Sequence, residues 1–227
     1  MPEAAAIKVG VYSSICEEDA VWIDQYLAEM ERLGLRFAMN FDRCSQETKR
    51  RLADHPLCIG STSNDDPARE FTEQDKQGVF NILESKGCAW ALAWDLDETW
   101  EKDAPGKLAA FETDADYIDC PWVNLWEDKD HIRRDGPFAS GYRVKFYRLN
   151  AGWRWHFDHP ITNGAKHAFR QDDREPKQGR FDLVCLHWGL MTREMRLRHK
   201  ERWDRIYTAA VGRNPYGIWN FALNETI

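Results

Sequence analysis

The 227-residue sequence has no apolar run approaching the roughly 20 residues that a membrane-spanning helix needs, and its start carries no basic-then-apolar leader. A soluble, cytoplasmic protein is expected, in a host cytoplasm if the gene belongs to a phage. The six cysteines (Cys16, Cys44, Cys58, Cys88, Cys120, Cys185) include no Cys-x-x-Cys pair, which argues against a zinc knuckle or a disulfide scaffold and for free thiols in a reducing compartment. No repeat, low-complexity tract or linker divides the chain, so a solenoid and a two-domain arrangement are both disfavoured. With 43% hydrophobic residues the chain can bury one substantial core, and residues 1–227 are expected to form a single α/β domain.

Positive charge is scarce in the first part of the chain. Residues 1–128 hold 12 Lys and Arg against 27 Asp and Glu, whereas residues 129–227 hold 19 against 11. The second part carries Arg133-Arg134, Arg143, Lys145, Arg148, Arg154 and a basic run from Arg193 to Arg205 that includes Arg196, Arg198 and Arg202. Tyr142, Phe146, Tyr147, Trp153, Trp155, Trp188 and Trp203 lie among them. Basic residues interleaved with aromatic platforms suit a polyanion with stackable bases. The same aromatic faces suit sugar rings, and a solvated helix face accounts for 193–205 equally well.

What the chain does have is the run Cys88-Ala89-Trp90-Ala91-Leu92-Ala93-Trp94-Asp95-Leu96-Asp97-Glu98. Seven apolar residues bounded by Gly87 predict a buried strand, and three carboxylates mark the point where it emerges at a sheet edge. Carboxylates so placed repel one another. A divalent cation relieves that repulsion, and hard oxygen ligands suit Mg²⁺ or Mn²⁺ better than zinc. An exposed acidic turn with no ion is the plain alternative.

Upstream, Ile7-Lys8-Val9-Gly10-Val11-Tyr12 alternates as a strand, and Ser13-Ser14 with Glu17-Glu18-Asp19 supply helix-start chemistry before Val21-Trp22-Ile23 and Tyr26-Leu27. Gly34 closes that helix, Phe37 to Asp42 reads as a second strand, and Ser45-Gln46-Glu47-Thr48 opens a short helix. Asp42 reads from its position as a cap of that short helix. Downstream, Tyr117 to Pro121, Val144 to Arg148 and Leu183 to His187 are apolar runs, while Glu127 to Asp130, Arg133 to Pro137 and Gln171 to Gly179 read as polar loops.

Over residues 7–100 this pattern resembles the family 2-like glycosyltransferases of the GT-A fold. The resemblance rests on a first strand, helix and second strand ending in Asp, then a helix, a Gly and a strand leading into Asp-x-Asp-Glu. It implies a mixed, mostly parallel sheet flanked by helices, with a nucleotide-sugar donor half at about 1–100 and an acceptor half at about 101–227. It further implies Asp97, Asp95 and His187 as ligands of Mn²⁺ or Mg²⁺, and Ser13, Asp42, Lys76 and Asp95 as donor contacts. In the acceptor half, Trp153 to His159 is similar to an aromatic-x-x-x-His-Glu segment, with Pro160 in place of the Glu, and the resemblance puts the catalytic base at Asp158 or His159. The nucleotide-diphospho-sugar is the implied donor. The compact size and basic second half lean the acceptor toward a hydroxymethylated base in DNA, as in small bacteriophage-type enzymes, with a saccharide as the alternative. Asp95-Leu96-Asp97-Glu98-Thr99 also fits the first motif of haloacid-dehalogenase-type phosphatases. That motif belongs at the end of a first strand, and the later Ser/Thr, Lys and paired-acid signals of that family are missing. A binding module with a degenerate site is the reading from outside enzymology.

Overall fold

The computed structural model describes residues 8–66, 75–134, 139–149, 153–156, 167–170 and 176–211. Strand β1 (Val9–Cys16) pairs in parallel with β2 (Arg36–Asp42) on one side and β4 (Trp90–Ala93) on the other, and β2 continues in parallel to β3 (Cys58–Asn64). Side-chain alternation sorts β1 into two faces. Val11, Ser13 and Ile15, paired with Phe37, Met39 and Phe41, face α1 (Ile23–Leu33), whose Ile23, Tyr26 and Met30 are buried. Tyr12 and Ala38 face α3 (Asp75–Ser85), against Val79, Phe80 and Leu83. At Gly10 a Cβ would stand 2.7 Å from Cys88 Sγ and 2.8 Å from Leu83 Cδ2, so α3 seats directly on the strand there.

Local signals stop the elements. Gly34, in the left-handed region at φ 63°, ends α1 as expected, and Ser45 caps α2 (Gln46–Ala53) by accepting a bond from the Thr48 amide at 3.2 Å. Ser45, not Asp42, is therefore the cap. A 3-10 helix (Glu17–Trp22) precedes α1, so Ser13 and Ser14 lie inside β1 rather than at a helix start. The reason is burial. Ser13 Oγ donates to the Trp94 carbonyl at 2.6 Å and meets the Tyr26 hydroxyl at 2.9 Å, which ties strand to helix.

The second half of the chain completes the same sheet. After β4 come β5 (Glu98–Trp100), α4 (Ala104–Ala109), β6 (Tyr117–Trp126), β7 (Asp128–Ile132) and β8 (Gly141–Arg148). A separate pair, β9 (Trp153–His156) with β10 (His167–Arg170), is followed by β11 (Gln178–Arg180), β12 (Cys185–His187) and α5 (Arg193–Val211). The ten-stranded sheet runs β3-β2-β1-β4-β8-β6-β12-β5, with β7 and β11 also on β6. Among the described residues five of its nine ladders are parallel, which gives the mixed, mostly parallel sheet that was expected. The expected polar loop at 127–130 is instead a hairpin into β7, turned at Glu127 with φ 68°. No helix among the described residues is long and apolar enough to cross a membrane. No disulfide joins any of the six cysteines.

Helix α5 is held by two arginines. Arg196, 2% exposed, donates to the Leu190 and Met191 carbonyls at 3.1 Å, pairs with Glu127 at 2.9 Å and lies over the Trp126 ring at 4.2 Å. Arg202 spans both oxygens of Asp19 at 3.0 Å. The expected polyanion-binding role is thereby corrected for Arg196, whose buried guanidinium has internal partners, while Arg202 is half-buried and held by Asp19; Arg198, paired with Glu194, stays on the surface. Arg196→Gln is expected to cost on the order of 2–3 kcal/mol, from lost charge-assisted bonds and the lost stack. Urea unfolding would measure it, and a change below about 0.5 kcal/mol, typical of a surface substitution, would return Arg196 to the surface set.

Candidate functional site

Strand β4 ends in a tight turn, Asp95 to Glu98, closed by the Glu98 amide donating to the Asp95 carbonyl at 3.1 Å. Glu98 points inward and is 1% exposed. Its carboxylate accepts two bonds from Lys145 Nζ at 2.5 and 2.6 Å, one from Trp122 Nε1 at 2.8 Å and one from the Asp95 amide at 3.1 Å. Burial by itself would lower the Lys145 pKa, and the anionic surroundings, Glu98 in direct contact, outweigh it and leave the ammonium charged. The buried pair thus clamps the turn from below. This arrangement leaves Asp95 exposed and turns Asp97 back toward the sheet.

Strand β12 inserts between β5 and β6, and its register sets His187 opposite Glu98 on one side and Asn124 on the other. Asn124 Oδ1 accepts from His187 Nδ1 at 2.6 Å, while Trp122 stacks on the imidazole with centroids 4.7 Å apart. With Nδ1 so engaged, Nε2 faces Asp97 Oδ2 at 3.2 Å. His199 Nε2, on α5, approaches the same oxygen at 3.6 Å. Burial by itself would raise the Asp97 pKa; His187, with His199 behind it, outweighs burial and holds the carboxyl well below its ordinary value. Burial likewise favours neutral His187, and Asp97 reverses that and raises the imidazole pKa.

Among the described residues, no group of three or more His, Cys, Asp or Glu side chains is placed to hold a metal ion. Asp97 and His187 close on each other as an ion pair instead. What suits an ion is the chemistry of the facing pair, a carboxylate oxygen and an imidazole nitrogen, and Gly189, lacking a side chain, gives Asp97 its place there. A Cβ at Gly189 would lie 2.0 Å from Asp97 Oδ2, 2.9 Å from His199 Nε2 and 3.0 Å from His187 Nε2. A cleft of about 60 Å³ opens beside it, between Asp19 and Trp22 on one side and Met195, Arg198 and His199 on the other. A larger depression of about 580 Å³, around Lys8, Trp90 and Phe111, lies at the opposite ends of β1 and β4 and shares no residue with this site.

The other expected site residues are dispersed. Asp42, 4% exposed, ends β2; Asn64 donates to it at 3.0 Å and Arg43 grips both its oxygens at 3.2 and 2.9 Å. Arg43 itself sits at φ 53°, a strained conformation for a side-chain-bearing residue. Lys76 lies in the first turn of α3, one turn before Val79 and just ahead of Gly78, which packs on Thr62 at the ends of the parallel strands. Ser13 is engaged inside the core, as described above, and so does not reach the site. Asp158 and His159 lie outside the described residues. Sequence reasoning missed Asn124, Gly189 and His199. Only His199 carried any signal, as one imidazole within a basic run. Burial pushes the thiols of Cys16, Cys44 and Cys120 up to about 12, so none of these is a nucleophile at neutral pH.

No protein-family model matches the sequence, and the search of curated proteins finds no match. Among solved structures, the chain is similar to HddC from Yersinia pseudotuberculosis, at 12% identity over 85% of this chain and 98% of that one, with a TM-score of 0.49. It is also similar to S. aureus TarS 1-349 in complex with UDP-GlcNAc, at 10% identity over 96% of this chain and 70% of that one, with a TM-score of 0.48. At these scores the chemistry has to be read from the chain's own residues.

Gly189→Ala is expected to push Asp97 off His187 and to destabilise the fold by about 1–3 kcal/mol, the usual cost of overpacking a filled space. Urea unfolding would test this, and wild-type stability in the variant would show that the close approach to Asp97 constrains nothing.

Proposed function

We propose that the protein is a metal-dependent glycosyltransferase of the GT-A type, which moves a sugar from a nucleotide-diphospho-sugar to a hydroxyl acceptor. One observation carries the reading: Asp97 of a strand-end Asp-x-Asp-Glu turn faces the Nε2 atom of His187, which a later strand delivers and Asn124 orients. The turn follows β4 in a parallel β3-β2-β1-β4 sheet, and carboxyl ends of parallel strands are where such sheets bind nucleotides. Asp42, with Arg43 and Asn64, forms a polar group at the end of β2 suited to the base or ribose. Asp97 and His187 would hold the ion, and exposed Asp95 is placed to reach it or the ribose.

When bound, Mn²⁺ or Mg²⁺ neutralises the charge that gathers on the departing diphosphate. Asp97 must be ionised for this, as it is when paired with His187 in the absence of the ion. His187 must shed its Nε2 proton, while Asn124 keeps the other ring nitrogen protonated and the donor lone pair aimed at the ion. The Glu98–Lys145 pair holds the turn rigid as charge changes above it. The base that takes the acceptor proton is assigned to Asp158, with His159 second, from the resemblance in the acceptor half.

For the acceptor we favour a saccharide over a base in DNA. Arg196, Arg202 and Lys145 are engaged by internal partners, so the basic groove that a polyanion needs loses these three of its expected members. The phosphatase reading is weaker still: Lys145, the lysine nearest the acidic turn, serves Glu98 instead.

Asp97→Asn is expected to weaken Mn²⁺-dependent binding of nucleoside diphosphates at least about tenfold and to leave their binding without metal unchanged. Asp42→Ala should weaken both. Calorimetry across a panel of nucleoside diphosphates measures these affinities, and Mn²⁺-dependent binding that survives Asp97→Asn would remove the ion from Asp97 and the reading with it.

A further inference from the structure

Arg32, Arg43, Arg51, Arg196, Arg198 and Arg202 each pair with a carboxylate. Arg143, exposed near the start of β8, is different. Among the described residues its guanidinium pairs with no carboxylate; it donates to the Tyr142 carbonyl at 3.3 Å and lies over the Trp122 ring, 4.9 Å from the centroid. That indole is itself fixed. Strand β6 runs between β12 and β8, and Trp122 stacks on His187 of β12 with centroids 4.7 Å apart while its Nε1 donates to Glu98 at 2.8 Å. The guanidinium therefore stands one ring away from the acidic turn, on a support that leaves N–H edges open to solvent. Lys145, two residues further along β8, is engaged by Glu98 at 2.5 and 2.6 Å and offers nothing to a ligand.

We propose that Arg143 binds the diphosphate of the nucleotide-sugar, donating from its guanidinium edge to the phosphate oxygens. The inference rests on the reading of the protein as a transferase with such a donor. A planar guanidinium matches a phosphate group bidentately, and charge-assisted bonds of this kind are stronger than neutral ones. Stacking on Trp122 orders the side chain before the ligand arrives, which lowers the entropy lost on binding. When the bond between the anomeric carbon and the diphosphate oxygen breaks, its electron pair stays on that oxygen, and the charge gathers where the guanidinium donates. Arg143 keeps its protons throughout. The contact needs no ion, so it accounts for nucleoside diphosphate binding in the absence of metal. Arg180 supplies an internal comparison: it is also exposed and lies over an aromatic ring, that of Tyr142 at 4.7 Å. Tyr142 and Arg143 are neighbours on one strand and so point to opposite faces, which puts Arg180 on the face away from the acidic turn.

Calorimetry of the intact protein without added metal tests this, with a panel of nucleoside diphosphates, the matching nucleosides and inorganic pyrophosphate as ligands. Arg143→Ala is expected to weaken binding of diphosphates and pyrophosphate at least about tenfold and to leave nucleoside binding unchanged, with Arg143→Lys in between because it keeps the charge and loses the fork. Arg180→Ala, which removes the same charge from the other face, should match the wild type. Equal diphosphate affinity in the wild type and Arg143→Ala overturns the proposal and leaves the transferase reading standing. An equal loss in Arg180→Ala also overturns it, since the effect would then be the general field of the surface. If a labelled single-stranded oligonucleotide loses affinity in Arg143→Ala while nucleoside diphosphates do not, the phosphate belongs to nucleic acid and the proposal fails. If pyrophosphate binds through Arg143 and no nucleoside diphosphate binds more tightly than it does, the transferase reading fails and the anion contact stands. An absence of diphosphate binding to the wild type overturns both.

Discussion

Asp97 and His187 meet 3.2 Å apart, each about nine-tenths buried. Because Asn124 Oδ1 accepts a hydrogen bond from His187 Nδ1–H, a neutral His187 would present its Nε2 lone pair to a carboxylate, two acceptors face to face. Something positive must lie between them, either a proton or a metal ion. Burial strengthens that demand, since unpaired charge in a poorly hydrated place is costly. Much of the surrounding architecture serves this one contact. Strand β12 threads between β5 and β6 to deliver the imidazole; the Glu98–Lys145 pair fixes the turn that carries the carboxylate; Gly189 withdraws its side chain so that Asp97 can occupy the space. Breaking a buried pair such as Glu98–Lys145 by removing one partner typically costs about 3–5 kcal/mol, so the turn is firmly held even though its tip is exposed.

The second half of the chain shows why a charge count is a poor guide to a binding surface. Its basic residues outnumber its acidic ones, yet many of them face inward. Trp126 lies between two guanidiniums, Arg133 at 4.3 Å and Arg196 at 4.2 Å. Arg148 covers Trp90 and Lys145 is buried beneath the acidic turn, while Arg180 over Tyr142 stays on the surface. The aromatic interleaving that suggested base stacking is therefore used largely within the protein, as cation–π contacts that seat strands and α5.

Periodicity and punctuation made the first half of the fold legible. Alternation marked β1 and β2, Gly34 marked the end of α1, and the apolar run into Asp95 to Glu98 marked β4 and its turn. His187 was legible because an apolar strand ends on it. Other features had no local signature. Cys58 to Asn64 is polar and glycine-bearing, and it is a strand because β2 offers it a partner. Ser13 and Ser14 carry helix-start chemistry, but pairing with Met39 and Asn40 keeps them extended. Asp128 to Ile132 is wholly exposed, so no apolar alternation announces β7. At the site, Asn124 and Gly189 acquire meaning only from the register of β12 and the path after it, and His199 only from the face of α5 that Arg196 and Arg202 seat.

The central claim is that an ion held at Asp97 and His187 presents a nucleotide-diphospho-sugar. The most direct test is thermal unfolding of the intact protein with a panel of nucleotide-diphospho-sugars, with and without Mn²⁺. A ligand at about 100 times its dissociation constant stabilises the native state by roughly 2.7 kcal/mol, which is readily visible in a melting curve. The account predicts that at least one nucleotide-sugar protects when Mn²⁺ is present and protects far less when it is absent. Protection of equal size with and without Mn²⁺, or none from any nucleotide-sugar while Mn²⁺ alone binds, would contradict it.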